Sequence, residues 1–439
     1  MTTTQPAPPV PDAGRSDWRR ILAVFWVTSL VEGIGVSQIF AFLPKDLGTM
    51  GLAEADRLRF VGLFGALIFV VGMPLVPLWG VWADRYSRKA VIIRSALVEA
   101  GVFVAVALSR EPWQLALSML LVGFQLGNTG IMLGAIRDSA PRRRIGTAMA
   151  VFGASGPIGF AIGPVLGGFI IDRLGWGIPP VFAVSAGLSV GTALLIALGS
   201  REVRPEVVPS GPLLKLAFGA LKSVVGDRPT RRIFAIFFVA FLANQMTRAY
   251  IPVLVSRANG PVDEASAIGL VTGTAALLGA MFGPLGGWLG DRIGYRWVLV
   301  GALVGSGLAV GAMPLAPSVP ILAIVAVVVA AQYATISPMI FALLATEVPA
   351  ERRSQTLNLV YLPLYLGGIV GPIVAALVVS FGIGAPFVVG GVVFVIGGLL
   401  VALQVRVGAR AAGSAAASST PDDDDPTFEA EATIEGRIG

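Results

Sequence analysis

Twelve apolar stretches alternate with short polar or charged breaks along most of the chain, near residues 21–43, 60–83, 90–108, 113–136, 146–171, 179–199, 233–256, 266–290, 297–316, 319–345, 355–380 and 386–405. A helix that crosses a bilayer needs about 20 mostly apolar residues. The pattern therefore predicts an all-α membrane protein with twelve transmembrane helices. Residues 1–20 are polar and proline-rich, lack the apolar core of a cleavable signal peptide, and are expected to be a cytoplasmic segment. Residues 201–232 form a charged link between the sixth and seventh stretches. Residues 406–439 are rich in Ala, Ser and Asp and are predicted to be disordered. Near their end, Ile434-Glu435-Gly436-Arg437 spells a protease site used to remove fusion tags and reads as an appended end.

Composition narrows the chemistry. Charged residues make up 13% and hydrophobic residues 55%, and mean hydropathy is +0.81. A soluble chain carries about 25% charged residues. With 0 Cys and 0 His, there is no disulfide framework, no thiolate metal site and no imidazole proton carrier. No metal or cofactor is expected, and any proton chemistry falls to carboxylates. No Gly-x-x-x-x-Gly-Lys-Ser/Thr phosphate loop occurs, so ATP hydrolysis and enzymatic activity in general are not expected.

Charge placement sets the orientation. With the N-terminus inside, 25 Lys and Arg fall on the inner side of the predicted helices and 6 on the outer side. Positive charge concentrates on the cytoplasmic side of membrane proteins. Both termini are therefore expected in the cytoplasm, in a multi-pass protein of the inner (plasma) membrane. The net charge of +6 reads as a topology signal; the bilayer is the expected partner, and no nucleic acid is.

The chain also repeats itself. Gly80-Val-Trp-Ala-Asp84-Arg85-Tyr-Ser-Arg88 follows stretch 2, and Gly287-Trp-Leu-Gly-Asp291-Arg292 follows stretch 8, an offset of 207 residues. Asp138 with Arg143-Arg144 recurs as Glu347 with Arg352-Arg353 at offset 209, and Gly159-x-x-x-Gly163-Pro164 recurs as Gly367-x-x-x-Gly371-Pro372 at offset 208. Three matches at one spacing imply two pseudo-symmetric six-helix bundles, 21–200 and 233–405, in the same orientation. Such halves place a binding site between them near the bilayer midplane.

At these residues the chain resembles the major facilitator superfamily, and within it the drug:proton antiporter family of twelve-helix multidrug exporters. The resemblance spans roughly 21–405. Gly80, Asp84, Arg85, Arg88 and Lys89 match the family's loop motif, with Ser87 where a second Gly usually stands. Gly159, Gly163, Pro164, Gly167 and Gly168 match a fifth-helix motif associated with antiporters. The family often carries an Arg early in the fourth helix; the nearest position here is Gly123. The resemblance implies the major facilitator fold, alternating access, and a monomer that exchanges a small-molecule substrate for protons. It also implies that helices 1, 4, 7 and 10 line the pathway.

The residues suggest how such a device would work. Asp84 could sit at the start of helix 11 near Ser354 and Gln355, where the helix dipole favours negative charge. Arg85 or Arg88 could pair with Asp138; together these charges would latch the inner side, while plain topology-setting charge is the alternative. Gly159, Gly163 and Gly167 lie on one helical face, suited to backbone-to-backbone packing, a hinge or a seam.

Ionisable residues within spans are costly and mark function by default. Glu32, Glu99 and Arg248 are the three that stand out as proton-coupling candidates. Glu32 is the expected proton carrier, and could also bind a cationic substrate in competition with the proton; a structural Glu32–Arg248 pair is the alternative. For Glu99 a supporting role weighs more. Gln125, Asn128 and Thr129 on helix 4, Asn244 and Gln245 on helix 7, Gln332 and Tyr333 on helix 10, and Asn358, Tyr361 and Tyr365 on helix 11 are the candidate cavity lining; interhelical hydrogen bonding is the alternative for each. Three readings follow: proton-coupled export of amphiphilic compounds including drugs; export or flipping of a lipid, sugar or metabolite on the same fold; and, least favoured, a transport-dead sensor.

Overall fold

The computed structural model describes residues 18–205, 208, 210–219, 221, 226–347, 359 and 361–418. The first half holds α1 (Trp18–Thr49), α2 (Glu54–Arg85), α3 (Arg88–Leu108), a split α4 (α4a, Pro112–Val122; α4b, Asn128–Ser139), α5 (Ile145–Gly168) and α6 (Ile178–Gly199). The second holds α7 (Arg228–Arg248, continued by Ile251–Asn259), α8 (Glu264–Ala280, continued by Phe282–Ile293), α9 (Tyr295–Ala312), α10 (Val319–Glu347), α11 (Tyr361–Val378) and α12 (Ala385–Ser418). Among the described residues, 11 helical segments are long and apolar enough to cross a membrane, and α4a is the shorter apolar helix that completes the set.

Helix pairing is two-fold. In the first half α1 packs on α5 and α6, α3 on α6, and α4a on α2 and α3. In the second, α7 packs on α11 and α12, α9 on α12, and α10 on α8 and α9. Between halves α5 meets α8, and α2 meets α11. Each contact has its counterpart six helices on. Large apolar side chains such as Leu97, Leu194, Leu308, Leu377 and Val392 stay exposed around the outside. That is where acyl chains would cover them.

Lipid tails are as apolar as the helices, so burial of apolar surface does little to hold the helices together; close packing and hydrogen bonds do. A Cβ at Gly159 would lie 2.2 Å from the Leu30 carbonyl oxygen, and one at Gly163 would lie 2.3 Å from that of Ile34, so α1 and α5 meet backbone to backbone. The α7–α11 seam is built alike: a Cβ at Gly371 would lie 2.5 Å from the Leu242 oxygen.

The structure departs from the sequence pattern in several helices: α12 runs on to Ser418, so residues 406–418, predicted to be disordered, are helical, as their many Ala residues favour; α7 and α8 are each briefly interrupted, at residues 249–250 and at Met281; and α4 is split. Residues 113–136 were expected to form one continuous span; the structure unwinds this span between Val122 and Asn128. Gly127 takes a left-handed φ of 101°, which favours glycine. Gly123 lets α4 approach the α2 backbone, since a Cβ there would lie 2.7 Å from the Gly72 nitrogen. Unwound backbone at membrane depth is tolerated only when its polar groups are satisfied inside the protein. Here the amides of Gly123, Phe124 and Gln125 donate to Leu120, Leu121 and Val122 (3.2, 3.0 and 3.0 Å). The Ser95 hydroxyl donates to the Gln125 carbonyl.

Candidate functional site

A cavity of about 490 Å³ lies between the two halves. Its wall includes Ser37 and Phe40 of α1, Phe160 of α5, Asn244 and Arg248 of α7, and Tyr333 of α10. The rest is mostly Ala, Val, Pro and Thr. The Arg248 guanidinium carbon lies 4.2 Å from the Phe40 ring centroid and 4.8 Å from that of Phe160. A cation from one half thus rests on two aromatic rings of the other. No hydrogen-bond acceptor or carboxylate among the described residues pairs with Arg248.

Glu32 does not lie on this wall. Its carboxylate points to the break in α4, where Asn128 Nδ2 donates to Oε2 (3.0 Å) and Gln125 Nε2 to Oε1 (3.4 Å). The Glu32–Arg248 pair held open by the sequence is not formed among the described residues. Glu99, on α3, is 3% exposed, and its Oε1 has no hydrogen-bond partner. It is near enough for its charge and that of Glu32 to repel, with Gln125 adjacent to both. The two carboxylates and the unwound segment therefore form one buried polar cluster inside the first half.

The other sequence-derived candidates disperse. Asn244 and Tyr333 line the cavity. Gln125 and Asn128 serve Glu32, and Thr129 donates to Asn128 Oδ1 (3.4 Å). Gln245 is buried, with its Oε1 unpartnered. Gln332 turns instead to a separate cavity between α8, α9 and α10, where its amide nitrogen can donate to the Gly301 and Ala302 carbonyls (3.3 and 3.2 Å). The Tyr361 and Tyr365 rings lie side by side, tilted by 32° with centroids 6.4 Å apart, and Tyr365 meets Phe69 of α2 (5.9 Å). The reason is geometric: a polar side chain inside a span takes the nearest partner, which is often a neighbouring helix rather than the cavity. Asn358 lies outside the described residues.

At the end of the bundle bearing the loop motif, Arg88 is 4% exposed and bridges Asp84 (Nε to Oδ1, 2.7 Å) and Asp138 (Nη1 to Oδ2, 2.8 Å). Partial burial alone would raise the Asp138 carboxyl; hydrogen bonds from Arg137 and Arg88 outweigh it and hold the group below its ordinary value. Arg85 is not part of this cluster: it donates to the Gly211 carbonyl in the link (3.0 Å). A Cβ on Gly80 would meet nothing within 4 Å among the described residues. Glu202 of the link accepts from the Arg88 amide (2.9 Å) and the Ser87 hydroxyl, anchoring the start of α3. Ser354 and Gln355, the expected neighbours of Asp84, lie outside the described residues.

The opposite end is closed by contacts between halves. Lys45 pairs with Glu264, Arg257 with Glu54 (2.7 Å) and Arg173 with Asp263 (3.2 Å). Asp172 accepts the Ser266 amide at the start of α8 (2.6 Å). Tyr250 donates to the Leu58 carbonyl (3.0 Å). Gly168 packs here: a Cβ on it would lie 2.6 Å from the Ala265 oxygen. A Cβ at Gly167 would meet the Phe42 ring at 2.2 Å, and the Pro164 carbonyl lies 2.4 Å from where a Cβ of Gly269 would sit. The fifth-helix glycines thus serve two seams, one to α1 and one to α8.

The sequence reading missed two features. Gln38 is fully buried, donates to the Gly163 carbonyl (3.1 Å) and accepts from the Ser185 hydroxyl (2.5 Å), tying α1, α5 and α6. A lone Gln deep in stretch 1 was the available signal. The Phe40–Phe160 cradle gave none, because aromatic residues in a span look the same whether they face lipid or a cavity.

Known proteins share this architecture. Residues 21–263 and 262–427 match the family model of the Major Facilitator Superfamily. Multidrug resistance protein MdtG of Citrobacter koseri is 31% identical over 297 residues, spanning 66% of this chain and 70% of that protein. The MdtG of Enterobacter lignolyticus is 25% identical over 421 residues, spanning 94% and 98%. Among solved structures, a bacterial homologue of the human lysosomal transporter Spinster, inward-facing and occupied, superposes with a TM-score of 0.71 at 16% identity, covering 91% of this chain and 98% of that one. The human organic anion transporter MFSD10 (TETRAN) superposes with a TM-score of 0.65 at 18% identity, covering 90% and 100%. At such identity these structures speak for the fold. With the family model and the exporter relatives, they lead to one conclusion: the chain belongs to the major facilitator superfamily, among its multidrug exporters, and is a membrane transporter rather than an enzyme.

Proposed function

We propose that this transporter exports small amphiphilic compounds, drugs among them, by proton antiport across the cytoplasmic membrane. Both termini lie in the cytoplasm, and a monomer suffices, its halves 21–200 and 233–405 rocking about the central cavity. The observation that carries the reading is Glu32: a carboxylate in the middle of α1 whose hydrogen-bond partners, Asn128 and Gln125, are both neutral amides. A half-buried charge without a counter-charge is costly, and a proton removes it. Loss of that proton draws the amides of the unwound α4 segment toward α1; its return releases them. Ser37 and Phe40 lie on the same helix, about 7.5 Å and about 12 Å further along at 1.5 Å per residue. A shift of α1 against α4 therefore reaches the cavity wall.

The Asp84–Arg88–Asp138 cluster, whose residues lie on α2, α3 and α4b of the first half alone, is read as that half's share of the cytoplasmic latch, and the Lys45–Glu264 side as the outer gate. Alternating access then requires the outer contacts to break as the inner end closes. The test is efflux from proteoliposomes under an imposed pH gradient. Wild-type protein should move a fluorescent amphiphile only with the gradient, and Glu32→Gln should bind it but lose the response. Gradient-independent efflux, or an unchanged response in Glu32→Gln, would overturn the coupling.

A further inference from the structure

We infer that the central cavity selects amphiphilic organic anions, with a carboxylate or sulfonate on an apolar or aromatic body, and that Arg248 is the group that binds the anionic head. This rests on the transport reading and names the substrate class of the same site. Among the described residues, Arg248 is the one formally charged residue on the cavity wall. Glu32, the acidic residue on the neighbouring stretch of α1, is turned to Gln125 and Asn128 and leaves that charge uncompensated.

The Phe40 and Phe160 ring centroids lie 4.2 and 4.8 Å from the guanidinium carbon, and the cation–π attraction of these rings explains how a cation is tolerated there. Its five N–H donors, which lie in the guanidinium plane and match the two oxygens of a carboxylate or sulfonate, have no acceptor among the described residues. The same rings offer a stacking surface for an aromatic body joined to that head. Tyr333 and Asn244 add neutral polar groups to the wall, and Ala275, Ala276, Ala326 and Ala330 provide a smooth apolar remainder. At about 490 Å³ the space lies within the range that drug-sized ligands occupy. A lipophilic cation would instead meet an unscreened like charge in a low-dielectric pocket, with no carboxylate among the described wall residues to offset it. Under proton antiport, one proton entering for one monoanion leaving moves two elementary charges in the same sense, so an inside-negative potential would assist export.

The experiment uses two fluorophores that share one aromatic body, dansylglycine as the anion and dansylcholine as the cation, and full-length protein in nanodiscs, with empty nanodiscs subtracted. Wild-type protein is expected to bind dansylglycine at least tenfold more tightly. Arg248→Gln should weaken dansylglycine about tenfold and abolish the preference, whereas Arg248→Lys should retain part of it by keeping the charge without the planar fork. Equal or tighter binding of dansylcholine by wild-type protein overturns the inference. So does binding of neither probe, or an unchanged ratio in Arg248→Gln with a wild-type melting profile. If Arg248→Gln does not fold, the wild-type ratio and Arg248→Lys decide. Anion binding without proton-driven efflux would sink the antiport reading alone; proton-driven efflux of dansylcholine with no anion preference would sink this inference alone.

Discussion

The α1–α5 seam gives the sharpest quantitative test, because two glycines on one helix should respond to the same substitution with opposite sign. In Gly159→Ala the new methyl carbon would lie 2.2 Å from the Leu30 carbonyl oxygen and 3.0 Å from both Gly33 Cα and Ile34 N. That is about 1 Å inside ordinary carbon–oxygen contact. The helices must part by a similar distance, and overpacking of this kind costs about 1–3 kcal/mol. Parting also stretches the 3.1 Å bond from Gln38 to the Gly163 carbonyl, worth about 1 kcal/mol. Against this, Ala gains up to about 1 kcal/mol over Gly as a helix former. The net expectation is a loss of about 1–3 kcal/mol. In Gly153→Ala the methyl meets nothing within 4 Å among the described residues, so only the gain remains. The variants should differ by about 2 kcal/mol or more, over tenfold in the unfolding equilibrium. Both would be compared by denaturant titration and thermal midpoint in one detergent, followed by transport. Should Gly159→Ala prove as stable as Gly153→Ala, the seam is not held by close backbone approach and the packing argument fails.

Other expectations follow from single contacts. Asp138→Asn removes one anion from the 4%-exposed Arg88 and should cost about 1–3 kcal/mol at pH 7. Because hydrogen bonds hold Asp138 below its ordinary value despite partial burial, wild-type protein has this contribution in full at neutral pH and loses it as pH falls through that lowered value. The gap between wild type and variant, measured by unfolding, should therefore shrink on acidification; a gap independent of pH refutes the assignment. Gln38→Ala removes the interhelical bond to the Gly163 carbonyl and leaves the Ser185 hydroxyl without its partner, and should destabilise by about 1–3 kcal/mol, whereas Gln38→Glu, which cannot donate to that carbonyl when ionised, should not rescue it. The chain has 0 Cys, so a single Ser266→Cys can report on the outer gate. Adding Asp172→Ala, which removes the carboxylate capping α8 at 2.6 Å, should speed labelling by an impermeant maleimide about fivefold, as a cap worth about 1 kcal/mol implies. An unchanged labelling rate removes Asp172 from the gate.

Candidate residues were legible in proportion to how rare their type is in a span. Glu32 and Arg248 stand out because charge is excluded from apolar helices, and the structure puts Arg248 on the cavity and Glu32 in the cluster beside it. Polar amides are weaker signals. Gln332 and Asn244 look alike in sequence, yet one faces α9 and the other the cavity, because helix rotation and neighbour identity decide which way each points. Arg85 and Arg88 are likewise interchangeable in the motif; only Arg88, four residues after Asp84 and across from α4b, reaches both aspartates.

What the sequence determined alone is what depends on one segment at a time: apolar length makes each span a helix, and the repeat at offsets 207–209 makes two like bundles. The tertiary structure decided everything that requires two segments to meet. It unwound α4, because Gly123 and Gly127 permit what Gly72 and Ser95 across the interface then stabilise. It separated Glu32 from Arg248 and set Phe40 and Phe160 against the latter, although all four lie in spans of similar hydropathy. Periodicity carries the direction of a side chain relative to its own helix axis; the rotation of that helix against its neighbours is a collective outcome of packing, which no single segment encodes.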